Sequence, residues 1–289
     1  MQFFQRGAVL ALFTLGIAAH ATAIDFFGVT TTNDLIRFDS STPGSVQSSV
    51  QISGIQAGES IVGIDVRPNN GELFALGSSS RLYRIDASTG AARQIGAVFS
   101  TALSGSSFGF DFNPTVDRIR VTSNAGQNLR LNPDTGAVAA VDGVLTYAAG
   151  DQNAGSTPNI VASAYTNSFG GSTSTTLFNI DANGGRLVTQ VPPNNGTLNT
   201  VGSLGLSISS VSGFDIVSQN GGNAGFAALQ VSGQNPVGFY TIDLSNGNAA
   251  LVGNFDRTVT SIAAVPEPGT LAVVGLGALA LLRRRRSKS

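Results

Sequence analysis

The side chains able to do chemistry in this chain are mostly carboxylates. Asp65, Asp111 and Asp215 share one local context: each stands two residues after a glycine, Gly63, Gly109 or Gly213, and between two apolar residues. Asp117, Arg118, Arg120 and Asp151 lie near them in sequence. A ring of such carboxylates would bind Ca²⁺ through oxygen, and a suitably spaced pair would act on a glycosidic bond. A residue that returns with a repeat usually serves the repeat, however. The plainer expectation is that these aspartates hydrogen-bond backbone amides at strand ends and between repeats. Arg84 and Arg130 also share one repeat position and are expected to pair with Asp residues of neighbouring repeats. No catalytic residue is assigned, and Ca²⁺ at Asp65, Asp111 and Asp215 is the one cofactor these residues would admit.

Composition removes most other chemistries. Among 289 residues there is no Cys, one His (His20) and one Lys (Lys288). Neither of the last two falls in residues 24–265. That span therefore lacks the means for Ser-His-Asp or Cys-His catalysis, His- or Cys-ligated metals, Lys Schiff bases and the phosphate-loop lysine. Its 16 acidic residues against 10 arginines give a formal charge of about −6, so nucleic acid is not an expected partner. Only two of the carboxylates there are glutamates, Glu59 and Glu72, and Trp, the usual sugar-stacking residue, is absent. A carbohydrate-active hydrolase or lyase using Asp carboxylates is thus the alternative reading, behind a non-catalytic binding or structural module.

What positions these residues is a repeat. An apolar strand ending in Asp or Asn recurs at Asp39, Asp86, Asn132, Asp181 and Asp243, at intervals of 47, 46, 49 and 62 residues. In the last four copies a glycine follows four residues later, at Gly90, Gly136, Gly185 and Gly247. The acidic or amide side chain accepts hydrogen bonds from the turn amides, and the glycine supplies the positive φ that closes a hairpin. The Gly-apolar-Asp element leads each unit and a further strand follows it, which makes four short strands per unit. In the fourth unit, Tyr147 to Asp151 and Asn159 to Thr166 are expected to be the first and second strands. Four strands in 40 to 50 residues is the pattern of a propeller blade. The expected fold is all-β: a single propeller of about five four-stranded blades. Its first blade is completed by the C-terminal strand ending near Val265. A β-solenoid or a two-sheet sandwich is the structural alternative.

The two ends read as addresses. Residues 1–23 carry a charge at Arg6, an apolar run and an Ala21-Thr22-Ala23 cleavage site, the pattern of a signal peptide with a helical core. At the other end, Pro266, Glu267 and Pro268 hold the backbone extended. An apolar run over 269–282 follows, and then Arg283, Arg284, Arg285 and Arg286. As a helix the 14-residue run spans about 21 Å against about 30 Å of bilayer hydrocarbon. The arginines act as a stop-transfer cluster, kept cytoplasmic by the positive-inside rule. The chain is thereby divided into 1–23 signal peptide, 24–265 ectodomain and 266–289 tail. It would be exported and held in the inner membrane before processing.

The tail resembles the PEP-CTERM sorting signal of Gram-negative bacteria in its Pro-Glu-Pro border, apolar stretch and terminal arginines. That resemblance implies processing by an exosortase, a membrane-embedded cysteine transpeptidase. The final location would be the cell surface or extracellular matrix, in species that commonly build biofilm or floc, with extracellular polysaccharide a possible partner. The ectodomain also resembles a secreted bacterial domain family of unknown function, through the run from Gly109 to Val121 and its continuation from Asn128 to Gly136. This second resemblance implies no activity.

Overall fold

The computed structural model describes residues 23–219 and 221–266. The expected signal helix with Ala21 lies outside them, as does the expected hydrophobic helix with Glu267, Pro268 and Arg283 to Arg286.

Local sequence sets the strands and their turns. In the first blade β1 (Asp25–Thr30), β2 (Asp34–Asp39) and β3 (Val46–Gln51) form an antiparallel meander. The second comprises β4 (Ile61–Val66), β5 (Leu73–Gly77), β6 (Arg81–Ile85) and β7 (Ala92–Ile95). The third comprises β8 (Phe108–Asn113), β9 (Arg118–Ser123), β10 (Asn128–Leu131) and β11 (Val138–Val141). The repeated turns close as their residue types require. Asp86 accepts from the N–H of Ser88 (2.8 Å) and of Thr89 (3.2 Å), while Gly90, at φ +74°, donates to the Asp86 carbonyl (2.8 Å). Asp243 and Gly247 build the same turn.

The fourth blade contains β12 (Thr146–Tyr147), β13 (Ile160–Tyr165), β14 (Leu177–Asp181), β15 (Arg186–Gln190) and β16 (Thr197–Ser203). Here the structure corrects the sequence reading by one place. The innermost strand is β13, not the segment from Tyr147 to Asp151, and the strand ending at Asp181 is second in the blade, not third. The physical reason is that the Asp-to-Gly turn suits any hairpin. In this blade it joins the second and third strands, whereas elsewhere it joins the third and fourth. The displaced residues go to the rim, where β12 pairs in parallel with β16 and Asp151 accepts from the Thr200 N–H (2.6 Å).

The fifth blade holds β17 (Ile208–Gln219), β18 (Gly222–Val231), β19 (Gly238–Ile242) and β20 (Ala249–Asn254). The chain then returns to the start. β21 (Val259–Ala264) becomes the inner strand of the first blade, antiparallel to β1, with Phe26 opposite Ala264 and Gly28 opposite Ile262. Five sheets thus form a ring whose inner strands are β21, β4, β8, β13 and β17, with the edge of β1 covered by β21.

The apolar core is divided among the blade junctions. The closing junction, between blades five and one, is aromatic: Phe26, Phe38, Phe226, Phe239 and Phe255 pack with ring centroids 5.0 to 5.9 Å apart. Each such buried side chain contributes about 1.5–3 kcal/mol relative to exposure, so strand exchange between the termini is backed by packing as well as by the ladder. The junction between blades three and four is polar instead. Arg120, 2% exposed, donates to Asp142 (2.6 Å), Asn128 (2.8 Å) and Asn194 (2.7 Å).

Candidate functional site

The three repeated aspartates meet at the axis. Asp65 lies on β4, Asp111 on β8 and Asp215 on β17, and one carboxylate oxygen from each falls within 4.8 Å of the others. All three are buried, with 3–5% of their surface exposed. The glycine two residues earlier explains how inner strands come this close. A Cβ at Gly63 would stand 2.6 Å from the Cβ of Phe110 in the next blade, and one at Gly213 would stand 2.7 Å from the Ile262 nitrogen. The first and fourth blades keep the small residue, as Ser261 and Ala162, but carry Ala263 and Ala164 where the others have Asp.

Three aspartates suffice because of what they bind. An inner strand has no neighbour on its axial side, so the N–H following the Asp or Ala position in each blade would be an orphaned donor, of which there are five. Asp65 accepts from Val66 in its own blade and Phe112 in the next, both at 2.7 Å. Asp111 accepts from Tyr165 of the fourth blade (2.9 Å). Asp215 accepts from its own Ile216 and from Ala264 of the first blade, both at 2.6 Å. Two oxygens per carboxylate serve two amides, so five amides need three aspartates. One oxygen, on Asp111, is left with no donor among the described residues. Between blades one and two, which no aspartate bridges, Ser261 Oγ accepts from the Ile64 N–H (3.0 Å).

This arrangement carries strained electrostatics. Burial pushes the carboxyls of Asp65 and Asp111 well above the usual carboxylate range, and the neighbouring aspartate charges push further; burial raises Asp215 as well. No basic side chain touches the trio among the described residues. Asp65, Asp111 and Asp215 are therefore the residues that would hold either shared protons or a hard cation. Ca²⁺ takes six to eight oxygens, and this cluster offers three carboxylates already engaged with amides.

The other charged residues lie elsewhere. Arg84 pairs with Glu72 (2.5 Å) and Arg130 with Asp142 (2.8 Å), each within its own blade, which corrects the expected inter-blade pairing. Each pair occupies diagonal positions on adjacent strands, since Arg84 faces Phe74 and Arg130 faces Ala140 in the ladders, and side chains so placed are within reach of each other. An inter-blade ion pair is made instead by Arg67, which follows β4 and binds Asp117 (2.5 Å) and Asp134 (2.7 Å) of blade three. Asp117 and Arg118 thus serve the β8–β9 turn region rather than the axis. Sequence reasoning missed the burial of Arg120, although an arginine between two apolar residues of a strand, opposite Asp111, was a usable signal.

The channel has two mouths. At the aspartate end a small cavity of about 50 Å³ is lined by Asp65, Asp215, Ser168, Val265 and Pro266, so the chain leaves the ring beside the axis. The far mouth, of about 260 Å³, is lined largely by hydroxyl residues, including Thr30, Thr31, Ser60, Ser106 and Thr260.

The model of the family described as "Domain of unknown function (DUF4394)" matches residues 34–263, most of the ring. The chain belongs to the DUF4394 family. In this DUF4394 chain the PEP-CTERM protein-sorting motif matches residues 264–286, beginning on the last residue of β21 and including Pro266, Glu267 and Pro268. That motif marks an exported protein handled by exosortase. No curated protein matches. Among solved structures the chain is similar to BamB from Moraxella catarrhalis, with 16% identity and a TM-score of 0.37, covering 78% of this chain and 57% of that one. It is also similar to PorZ, a surface component of the type-IX secretion system of Porphyromonas gingivalis, with 13% identity and a TM-score of 0.41, covering 82% of this chain and 29% of that one. The DUF4394 chain thus spans less than two thirds of either protein.

Proposed function

We propose that this protein is a non-catalytic module of the cell surface or extracellular matrix, delivered by its sorting tail after transient anchoring in the inner membrane. One observation carries the reading: five of the six carboxylate oxygens at the axis accept backbone amides, and all three aspartates are buried. Carboxylates that act on a glycosidic bond must reach the sugar, and these are turned to the ring itself. The surface we assign to a ligand is the hydroxyl-lined mouth opposite the tail, chemically suited to the hydroxyls of a polysaccharide through neutral hydrogen bonds. Screening the purified protein against bacterial polysaccharides, for binding and for new reducing ends, tests this. Binding without turnover, weakened by bulky substitution at Thr31 or Ser60, is the expected result. Turnover abolished by Asp111→Asn would overturn it. The sorting half has its own test in the native host. Replacing Pro266, Glu267 and Pro268 by alanines is expected to block maturation, and unchanged maturation would refute exosortase recognition.

A further inference from the structure

Val265 and Pro266 do more than leave the axis. The Val265 N–H donates to the Asp25 carbonyl (2.8 Å), extending the ladder between β21 and β1 by one bond. Pro266 has no N–H, so that ladder stops there. Both residues also line a groove of about 560 Å³ between the first and second blades, on the face where the inner strands end. Phe27, Leu73 and Ile85 contribute apolar surface to it, and Arg84 and Arg93 contribute charge. Arg84 is shared with Glu72, but Arg93, on the exposed outer strand β7, has no carboxylate partner among the described residues. The next residues in the chain are an acid and a proline.

We propose that this groove seats the sorting motif itself, with Pro268 against the apolar wall and the Glu267 carboxylate beside Arg93 and Arg84. Reach, charge and polarity agree. Two residues beyond Pro266 extend at most about 7 Å, so the groove that Pro266 lines is within their reach. A single anion entering beside an unpaired guanidinium makes a charge-assisted hydrogen bond, and proline packs on apolar walls with little rotamer entropy to lose. The motif is therefore held on the propeller face, and the processing enzyme competes with the groove for it. This rests on the reading of the tail as a sorting signal. It adds that the folded ring regulates access to that signal.

The absence of cysteine makes the test clean. Full-length, unprocessed chain is purified in detergent with Pro268→Cys paired either with Ala87→Cys in the groove or with Ser168→Cys in the cavity on the other side of Pro266. Mild oxidation followed by peptide mass spectrometry reads the disulfide yield, which requires Cα atoms about 4.4–6.8 Å apart. The expected result is a higher yield with Ala87→Cys. Adding Arg93→Glu should lower it about threefold to tenfold, the scale of one or two exposed ion pairs, and adding Glu267→Arg to that variant should restore it. Equal yields at Ala87→Cys and Ser168→Cys, or indifference to both charge changes, would overturn the proposal. Because the measurement precedes any processing, it is independent of whether exosortase recognises the motif. In the host, Arg93→Glu should speed maturation of the otherwise unaltered chain, whereas unaltered or slower maturation would refute competition between groove and enzyme.

Discussion

Replacing Asp65 and Asp111 separately by asparagine distinguishes a ring of amide acceptors from a metal site. Each substitution removes one negative charge within 4.8 Å of two others. At an effective dielectric of about 20, a pair of unit charges at that distance repels by roughly 3.5 kcal/mol when both are ionised. That relief is common to the two variants, so their difference isolates hydrogen bonding. Asp111 uses one oxygen, for Tyr165, and asparagine keeps that acceptor. Asp65 uses both, for Val66 and Phe112, so asparagine turns an NH₂ toward one of these amides and orphans it at about 1–3 kcal/mol. Asp111→Asn should therefore melt several degrees above Asp65→Asn, since 1 kcal/mol corresponds to about 2–4 °C in a domain of this size. Asp111→Asn should also exceed the wild type at pH 8. The sign with pH follows from the raised carboxyls. Their contribution to stability is fully present below the unfolded value of about 3.9 and is lost as pH rises through the folded values. The advantage of Asp111→Asn over the wild type should thus grow from pH 4 to pH 8 in calorimetric scans. If both variants melt below the wild type by similar amounts in Ca²⁺, and EDTA lowers the wild type to their level, the aspartates hold a cation and the amide argument fails.

Three further outcomes test the blade junctions. Gly63→Ala places a methyl 2.6 Å from the Cβ of Phe110 and should cost about 1–3 kcal/mol by overpacking, read as a lower urea midpoint; an unchanged midpoint would mean that these inner strands do not touch. Arg120→Ala leaves Asp142, 7% exposed, with only Arg130, so a loss of about 3 kcal/mol is expected, against a negligible change if the junction between blades three and four does not need the charge. Arg67 holds the Asp117 carboxyl below its usual range, a contribution present above the unfolded carboxylate value and lost as pH falls; Arg67→Ala should therefore destabilise by about 1 kcal/mol at pH 7 and by almost nothing near pH 2, and a loss equal at both pH values would exclude the ion pair as its cause.

The parts of the fold that repeat were readable, and the parts that break the repeat were not. The Asp-to-Gly turns and the Gly-apolar-Asp strands each state a local requirement, a positive φ or a close approach, that only certain residues meet; counting them gives blade number and closure. Blade four kept the count but defeated the strand order within it, because its turn motif sits one hairpin earlier and turn chemistry does not encode which hairpin it closes. The axial aspartates could be named from sequence, since they recur. That three of them answer five amides could not, because three of those amides belong to the next blade, about 50 residues away in the chain, and are invisible to local pattern. Arg84 and Arg130 misled for the converse reason: their partners, Glu72 and Asp142, lie in the same sheet and are not repeat positions.

The uneven use of aspartate around the ring bears on where function resides. Alanine at the axial position of blades one and four is possible because the neighbouring blade already supplies an acceptor, so the axis carries the smallest number of buried charges that satisfies its donors. A site selected for binding an anion-seeking ligand would be expected to keep its carboxylates exposed and unengaged. Here they are sealed at the end of the channel from which the sorting tail departs, and that tail would itself bring the same face toward the membrane before processing. The opposite mouth has neither constraint: its hydroxyl residues satisfy no ring of orphaned amides, and no chain terminus leaves from it. Selection for ligand recognition in this protein therefore has freedom at Thr31, Ser60 and Ser106 that it lacks at Asp65, Asp111 and Asp215.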